Sequence, residues 1–381
     1  METSRHDSAR GLTPSPFGGL KVIQAPGKKS APEGPPPPFA RGAVKTPVGE
    51  VWRVASEWSA EDRLGGVKCR LSGFRMRYTV QPGLYAVGDP GPESEVFASA
   101  NYKLSFDHLR RALRGMDAWV LVIDTRGINV WCAAGKGTFG DEELVRRIRE
   151  AGLERVVRHR RIIVPQLGAP GIRAHSVKRL TGFRVHYGPV RAADIRRYVE
   201  GGLKATREMR TVTFGIVDRL VLTPMEIIPA MKKYPLYALA VLLIFGLRPE
   251  GVIFREAWAR GWPFLLLGLL AVFAGAFVTP VLLPFVPFRS FALKGLLVGS
   301  ALAPFALGAL GFDNFFLAVS GAVALPAASS YLALQFTGST AFTGMSGVNR
   351  ELKVGLPLYF GALGVALIFL AAYKFTTWGS L

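Results

Sequence analysis

The strongest constraint on this chain is a set of long apolar runs confined to its C-terminal part. Residues 261–288, 295–312, 315–336 and 354–373 contain no charged side chain. Each is near the roughly 20 residues a helix needs to cross the hydrocarbon core of a bilayer. Residues 234–247 form a shorter run that spans only if Lys232, Lys233 and Arg248 snorkel toward the headgroups. The length criterion therefore predicts about five spans and an all-α transmembrane helical domain over 234–381, preceded by a linker at 221–233. Pro280, Pro284 and Pro287 break the end of one run.

The chain of 381 residues carries a formal net charge of +20. Such an excess suits nucleic acid or an anionic membrane surface. No RNP, zinc-finger or basic-region pattern supports nucleic acid, and the apolar runs select the membrane. Lys232, Lys233, Arg289, Lys294, Arg350 and Lys353 flank the runs on one side, and Asp313 lies on the other. The positive-inside rule then places the N-terminal part in the cytosol, anchored to the inner (cytoplasmic) membrane by a multi-pass domain. Ionisable residues sit only near the ends of the runs, as Lys294 and Lys374 do, which favours an anchor over a transporter. The polar run 337–349 reads as a loop.

Residues 1–41 are rich in Pro, Ser, Gly and charge and read as a disordered tail with no apolar signal region. Residues 42–220 carry the pattern of a folded α/β domain. Short apolar strands at 84–88, 96–100, 118–124, 161–165 and 183–187 alternate with helical stretches at 105–114, 140–150, 172–180 and 191–200. Residues 51–80 read as short strands and turns, and residues 201–230 as a connector. That alternation predicts a parallel, Rossmann-like sheet. Its Gly- and Pro-rich loops, at 88–92, 125–137, 166–171 and 188–189, would converge on one sheet edge and could floor a broad, flat ligand.

One segment stands out within this domain: residues 129–139, NVWCAAGKGTF. It follows a buried strand and a Thr125-Arg126-Gly127 turn. Asn129 is a good helix N-cap, and Gly135 and Gly137 would end the helix after little more than a turn. Cys132 thus falls in the first turn of a very short helix beyond the carboxyl end of a strand, where open α/β sheets place ligands. A helix N-terminus favours a thiolate over a thiol. Spacing alone also fits a small core cysteine. Cys69, in the alternating stretch 67–71, reads as a buried strand position without chemistry. Two cysteines fall short of the four thiolates an iron–sulfur cluster commonly needs. His108, His159, His175 and His186 are scattered; Asp107-His108 does not fit the DxHxxG pattern that would supply a histidine ligand to a corrinoid. GxGxxG is absent, which argues against a nicotinamide cofactor.

The octet NVWCAAGK at 129–136 resembles the signature of the HgcA family, the membrane-bound corrinoid proteins of microbial mercury methylation. Further blocks match in order: 82–88 (PGLYAVG), 100–103 (ANYK), 121–125 (LVIDT), 165–170 (PQLGAP), 187–190 (YGPV) and 220–224 (LVLTP). The resemblance runs from about residue 42 to the C-terminus, and the soluble part is more distantly similar to corrinoid iron–sulfur proteins of one-carbon metabolism. Asp89 stands where that family has Asn, and Ser99 and Ser105 where it has Thr; both serines keep a hydroxyl.

The resemblance implies that 129–136 is a cap helix. Cys132 would be the lower axial ligand to the cobalt of a cobalamin-type corrinoid, and so both metal ligand and catalytic residue. It assigns cofactor contacts to Asn129, Val130, Trp131, Cys132, Ala133, Ala134, Gly135 and Lys136, with Ser99 and Ser105 as further hydroxyl contacts. Trp131 would pack either under the corrin or into the core; Lys136 would bond a corrin amide or complement the helix C-terminus. The implied activity is a corrinoid-dependent methyltransferase that passes a methyl group from cobalt to Hg(II). The implied electron donor is a ferredoxin-like partner with two [4Fe–4S] clusters. Two other readings compete: a membrane-bound corrinoid methyl carrier of one-carbon metabolism, and a non-enzymatic membrane protein with a ligand-binding α/β domain.

Overall fold

The computed structural model describes residues 35–337 and 345–378. Residues 1–34 of the expected tail, and most of the polar run 337–349, lie outside these. The N-terminal hairpin β1 (Ala40–Thr46) and β2 (Gly49–Val54) is followed by helix α1 (Ala60–Leu71). Ser59 and Asp62 form a reciprocal capping box at its start. The alternating stretch around Cys69 is therefore helical, which corrects the strand expected there. Asp62, Gly65, Gly66 and Cys69 follow the 3.6-residue period of a buried helix face, and the cap chemistry outweighs the short alternation. Cys69 is buried as expected, and burial pushes its thiol pKa up.

The expected strands and helices then appear in order: β3 (Gly83–Val87), β4 (Val96–Ala100), α2 (Lys103–Ala112), β5 (Ala118–Ile123), α3 (Val130–Gly135), α4 (Asp141–Glu150), the single turn α5 (Leu153–Val156), β6 (Arg161–Val164), α6 (Ala174–Thr181), β7 (Arg184–Tyr187) and α7 (Ile195–Glu200). Helix α2 starts earlier than expected: Tyr102 occupies the N-cap and Ser105 lies in the first turn. The seven strands form one sheet in the order β1-β2-β3-β5-β4-β6-β7. Strands β5, β4, β6 and β7 run parallel. Helices cover both faces. Trp119, Leu121 and Ile123 of β5 join the core beneath α3 and α4, while Val120 and Val122 join the core beneath α2 and α7. A strand buried on both faces reads as a continuous apolar run, which is why β5 is so legible in the sequence.

Strand β3 departs from the expected all-parallel sheet. It runs antiparallel to β5, with Gly83 opposite Val122 and Val87 opposite Ala118. The loop at 88–92 consequently lies at the opposite end of the sheet from the loop at 125–137. Asp89 is there, ion-paired with Arg53 at 2.8 Å and accepting nothing from the cap segment. Nothing separates β3 and β4 but a turn, so no crossover helix exists to return the chain parallel.

Among the described residues, the C-terminal part holds five helices long and apolar enough to cross a membrane. Helix α8 (Ile216–Leu222) leads directly into α9 (Pro224–Gly246). Helix occupies the expected linker and continues past Lys232 and Lys233; Pro224 sits in its first turn, where a missing N–H costs little, while Pro229 and Pro235 lie inside it. A two-strand hairpin, β8 (Leu247–Arg248) and β9 (Gly251–Val252), precedes α10 (Phe254–Val272). Helix α10 passes through a π-helical stretch, Phe273–Val278, into the short α11 (Thr279–Val281). Helices α12 (Phe291–Ala309), α13 (Phe315–Phe336) and α14 (Met345–Trp378) complete the bundle. Small residues let the helices approach closely: the Ser329 Oγ donates to the Gly295 carbonyl at 2.8 Å. Lys294 and Lys374 are buried and donate hydrogen bonds to backbone carbonyls, Lys294 to Leu283 and Val286 and Lys374 to Phe245.

Candidate functional site

The chain leaves β5 at Ile123 and turns sharply. Arg126 and Gly127 both adopt left-handed backbone, at φ 58° and 71°. For Arg126 this conformation is strained by about 1–2 kcal/mol, and the surroundings must hold it. Asn101, at the end of β4, supplies much of that restraint. Its Oδ1 accepts from the Thr125 N–H (3.1 Å), the Thr125 hydroxyl (2.9 Å) and the Gly127 N–H (2.9 Å), and its Nδ2 donates to Asp124 (3.2 Å). Asp124 in turn accepts from the Arg126 N–H.

This turn delivers Asn129 to the N-cap of α3, where its Oδ1 accepts from the Cys132 N–H at 2.9 Å. Six residues of helix then separate into two faces. Val130, Ala133 and Ala134 are buried in the core under the sheet. Trp131, Cys132, Gly135 and Lys136 are exposed. Cys132 is thus a free, solvent-facing thiol on a short and firmly seated helix. The loop at 166–171 packs closely on α3 and on the residues after it: a Cβ at Gly171 would lie 3.2 Å from the Ala134 Cα of α3 and 2.0 Å from the Phe139 carbonyl oxygen. On the outer face, by contrast, a Cβ at Gly135 would meet nothing.

Beside α3 the carboxyl ends of β4, β6 and β7 open into a cleft of about 610 Å³. Ser99 and Pro165 lie on its floor and rim; Ser105 and His108 line it from α2, and Asn129, Val130 and Trp131 from the cap segment. It is also lined by Arg191, from the loop between β7 and α7, and by Thr213 and Asp218, from the segment leading into the membrane helices. Arg191 bonds Thr213 at 2.6 Å and pairs with Asp218 at 3.2 Å.

Five of the sequence-expected site residues, Ser99, Ser105, Asn129, Val130 and Trp131, therefore surround one cleft, with Cys132 next along the helix. Of the two placements open for Trp131, the structure has the exposed one, at 38%. Lys136 caps the C-terminus of α3 through its backbone, donating to the Cys132 carbonyl at 3.1 Å. Ala133 and Ala134 turn into the core and are buried, at 0% and 6% exposure. The loop at 88–92 is absent from the cleft, for the topological reason given above. Sequence reasoning missed Asn101 and Thr125 as the buried supports of the cap segment. Both lie inside blocks singled out by resemblance (100–103 and 121–125), but their pairing is a tertiary contact. It also set aside His108, which lines the cleft and stacks edge-on to Trp58.

Comparison with known proteins bears on what such a cleft holds. Residues 73–199 match the sequence model of the family described as CO dehydrogenase/acetyl-CoA synthase delta subunit. The chain is 32% identical over 123 residues to acetyl-CoA decarbonylase/synthase complex subunit gamma of Archaeoglobus fulgidus, a match covering 32% of this chain and 26% of that protein. It is 30% identical over 145 residues to the same subunit of Methanopyrus kandleri, covering 38% and 31%. It is 26% identical over 126 residues to the corrinoid/iron–sulfur protein large subunit of Moorella thermoacetica, covering 33% and 28%. The chain thus spans about a third or less of these relatives' own lengths. The soluble domain resembles, at a distance, proteins named for corrinoid chemistry. The similarity takes in β3 to α7, with the cap segment and most of the cleft, and stops before the membrane helices.

Proposed function

We propose that this chain is a membrane-anchored corrinoid protein of methyl transfer, with the Cys132 thiolate as the lower axial ligand to cobalt. One observation carries the reading: a free, exposed cysteine on a rigidly capped helix, beside an open cleft at the carboxyl edge of a parallel sheet. The donor set suits a corrinoid. The sulfur is soft, the outer face of α3 beside it is open, and the cleft is largely apolar with the Ser99 and Ser105 hydroxyls within it. Trp131 and the exposed face of α3 would lie against the ring, and Lys136 would meet its polar side chains.

Bound there, the corrinoid would supply a transferable methyl group on cobalt. Cys132 would supply electron density, since a thiolate donates more strongly than imidazole or benzimidazole and axial-ligand identity is a main lever on a metal's electronics. Asn129 holds the ligand's backbone. The Asn101–Thr125 pair keeps the strained turn from relaxing, so the sulfur cannot drift.

A strong donor ligand favours delivery to an electrophile, and Hg(II) is a soft electrophile. Together with the octet at 129–136, this supports Hg(II) as acceptor and methylmercury as product. The relatives' names favour a second reading, a methyl carrier of one-carbon metabolism. Carbanion-like delivery to Hg(II) would leave the cofactor two electrons short of its methyl-accepting state, so that reading needs an external reductant, and a ferredoxin-like protein with two [4Fe–4S] clusters is the proposed donor; the carrier reading, with the methyl leaving as a cation equivalent, would need it only to restore cofactor lost to oxidation. The basic flanks of the apolar helices support a soluble domain on the cytosolic side of the inner membrane.

The test uses the full chain in lipid nanodiscs, reconstituted with cobalamin. Wild type should bind corrinoid and show a visible spectrum that shifts in Cys132→Ala but not in His108→Ala. Identical spectra for wild type and Cys132→Ala would sink the ligand assignment. The methyl-loaded protein is then offered Hg(II): methylmercury formation favours the first acceptor, and none under reducing conditions favours the carrier.

A further inference from the structure

Helix α1 is built inside out. The face it turns to the protein is small or polar: Asp62, Gly65, Gly66 and Cys69. Directly opposite, Leu64, Val67 and Leu71 form an apolar stripe at i, i+3 and i+7, and they are 51%, 50% and 44% exposed. Met76, just beyond, is 68% exposed. Arg63 and Arg70 flank the stripe on one side and Lys68 on the other, and Arg75 and Arg77 follow. Residues 60–77 carry five basic and two acidic side chains. One of the acids, Asp62, is already consumed by Lys103 and Arg110 at 2.6 and 2.7 Å.

An apolar stripe bordered by Lys and Arg is the pattern of a helix lying in a membrane interface. Position agrees with pattern. Helix α1 packs against α9, the first membrane helix, and Arg75 reaches Met225 near its start at 3.9 Å. The stripe is therefore carried beside the start of the first membrane helix.

We infer that α1 is a lipid-docking helix, which seats its Leu64–Val67–Leu71 stripe in the interface of an anionic leaflet with Arg63, Lys68 and Arg70 at the phosphates. The soluble domain is then held against the membrane at two points, α1 and the α8–α9 junction, and cannot swing freely on its tether. This inference concerns the membrane and not the cofactor, so it stands or falls independently of corrinoid binding.

The test is spin-label accessibility on the full chain in nanodiscs, in a Cys132→Ser background, with Cys69 buried and unlabelled. Nitroxides go at Leu64→Cys, Val67→Cys and Leu71→Cys, with Leu266→Cys as a lipid-exposed control and Arg158→Cys as an aqueous one. In phosphatidylglycerol-containing bilayers the three stripe labels should favour oxygen over a nickel chelate, approaching the Leu266→Cys ratio. Pure phosphatidylcholine, or Arg63→Gln/Lys68→Gln/Arg70→Gln, should move them toward the Arg158→Cys ratio. Aqueous ratios in both lipids, or protection from both reagents as at a protein–protein contact, overturn the proposal. So does indifference to lipid charge.

Discussion

Asn101 and Thr125 lie on adjacent strand ends, and the Asn101 Oδ1 accepts from both the backbone N–H and the hydroxyl of Thr125, at 3.1 and 2.9 Å. Thr125 is fully buried, and its single hydroxyl proton is shared between that oxygen and the Ile128 carbonyl, 2.6 Å away and one residue before the cap of α3. This pair is the mechanical link between the sheet and Cys132. Asn101→Ala should leave the Thr125 and Gly127 N–H groups without their acceptor, while the Thr125 hydroxyl keeps the Ile128 carbonyl, and lower stability by about 2–3 kcal/mol. Chemical denaturation followed by tryptophan fluorescence measures that loss, and corrinoid retention should fall with it.

Asn129→Ala removes a side-chain cap and should cost about 1 kcal/mol. Cys132→Ala, by contrast, removes an exposed side chain and should leave the unfolding midpoint within about 0.5 kcal/mol of wild type. The pair separates support from ligation: Asn129→Ala should broaden or weaken the corrinoid spectrum while keeping its ligand character, whereas Cys132→Ala should change that character. Equal stability losses in both variants would mean that Cys132 is a packing residue.

Gly171→Ala tests how closely α3 is seated. The added Cβ would fall 2.0 Å from the Phe139 carbonyl oxygen and 3.2 Å from the Ala134 Cα, both backbone atoms. Something must move, and α3 or the loop at 166–171 is what can. Overpacking of this kind costs about 1–3 kcal/mol. Faster hydrogen exchange at Ala133 and Ala134 would report the displacement; unchanged exchange would show that the loop alone gives way.

The charged cluster under α1 sets the acid limb of stability. Burial raises the Asp62 carboxyl pKa, but hydrogen bonds from Lys103 and Arg110 outweigh it, and the group is held well below the usual carboxylate range. A depressed pKa contributes stability above the unfolded value, about 4, and that contribution is lost as pH falls through the folded value. Lys103 shifts the other way: burial lowers it, and its bonds to Asp107 and Asp62 more than restore it. Its contribution is therefore complete at neutral pH and lost only as pH rises past the ordinary lysine range. Lys103→Met should destabilise the soluble domain by about 3 kcal/mol at neutral pH and flatten the loss of stability below about pH 4. A pH series of denaturation midpoints reads both effects.

Much of the architecture was legible because it is local. The strand at 118–124 announced itself as an apolar run, since its residues are buried on both faces. Asn129, Gly135 and Gly137 marked the short helix around Cys132, because capping is decided by neighbours in the chain. The direction of β3 was not legible: an isolated strand carries no mark of the partner it will pair with, and Gly83–Val87 reads the same in either direction. Helix α1 was misread for a related reason. Its apolar stripe faces outward, so the usual inference from apolar positions to core fails there.

By itself the sequence determined that this protein has an α/β domain followed by membrane helices, and that one cysteine sits at the start of a one-turn helix. These follow from apolar run length, periodicity and caps, all of which act within a few residues. Only the tertiary structure decided which loops share the cleft with Cys132, that Asn101 holds the turn beneath it, and that α1 shows its apolar side to the outside. Those are contacts between segments tens of residues apart, fixed by strand order and packing, which no local pattern encodes.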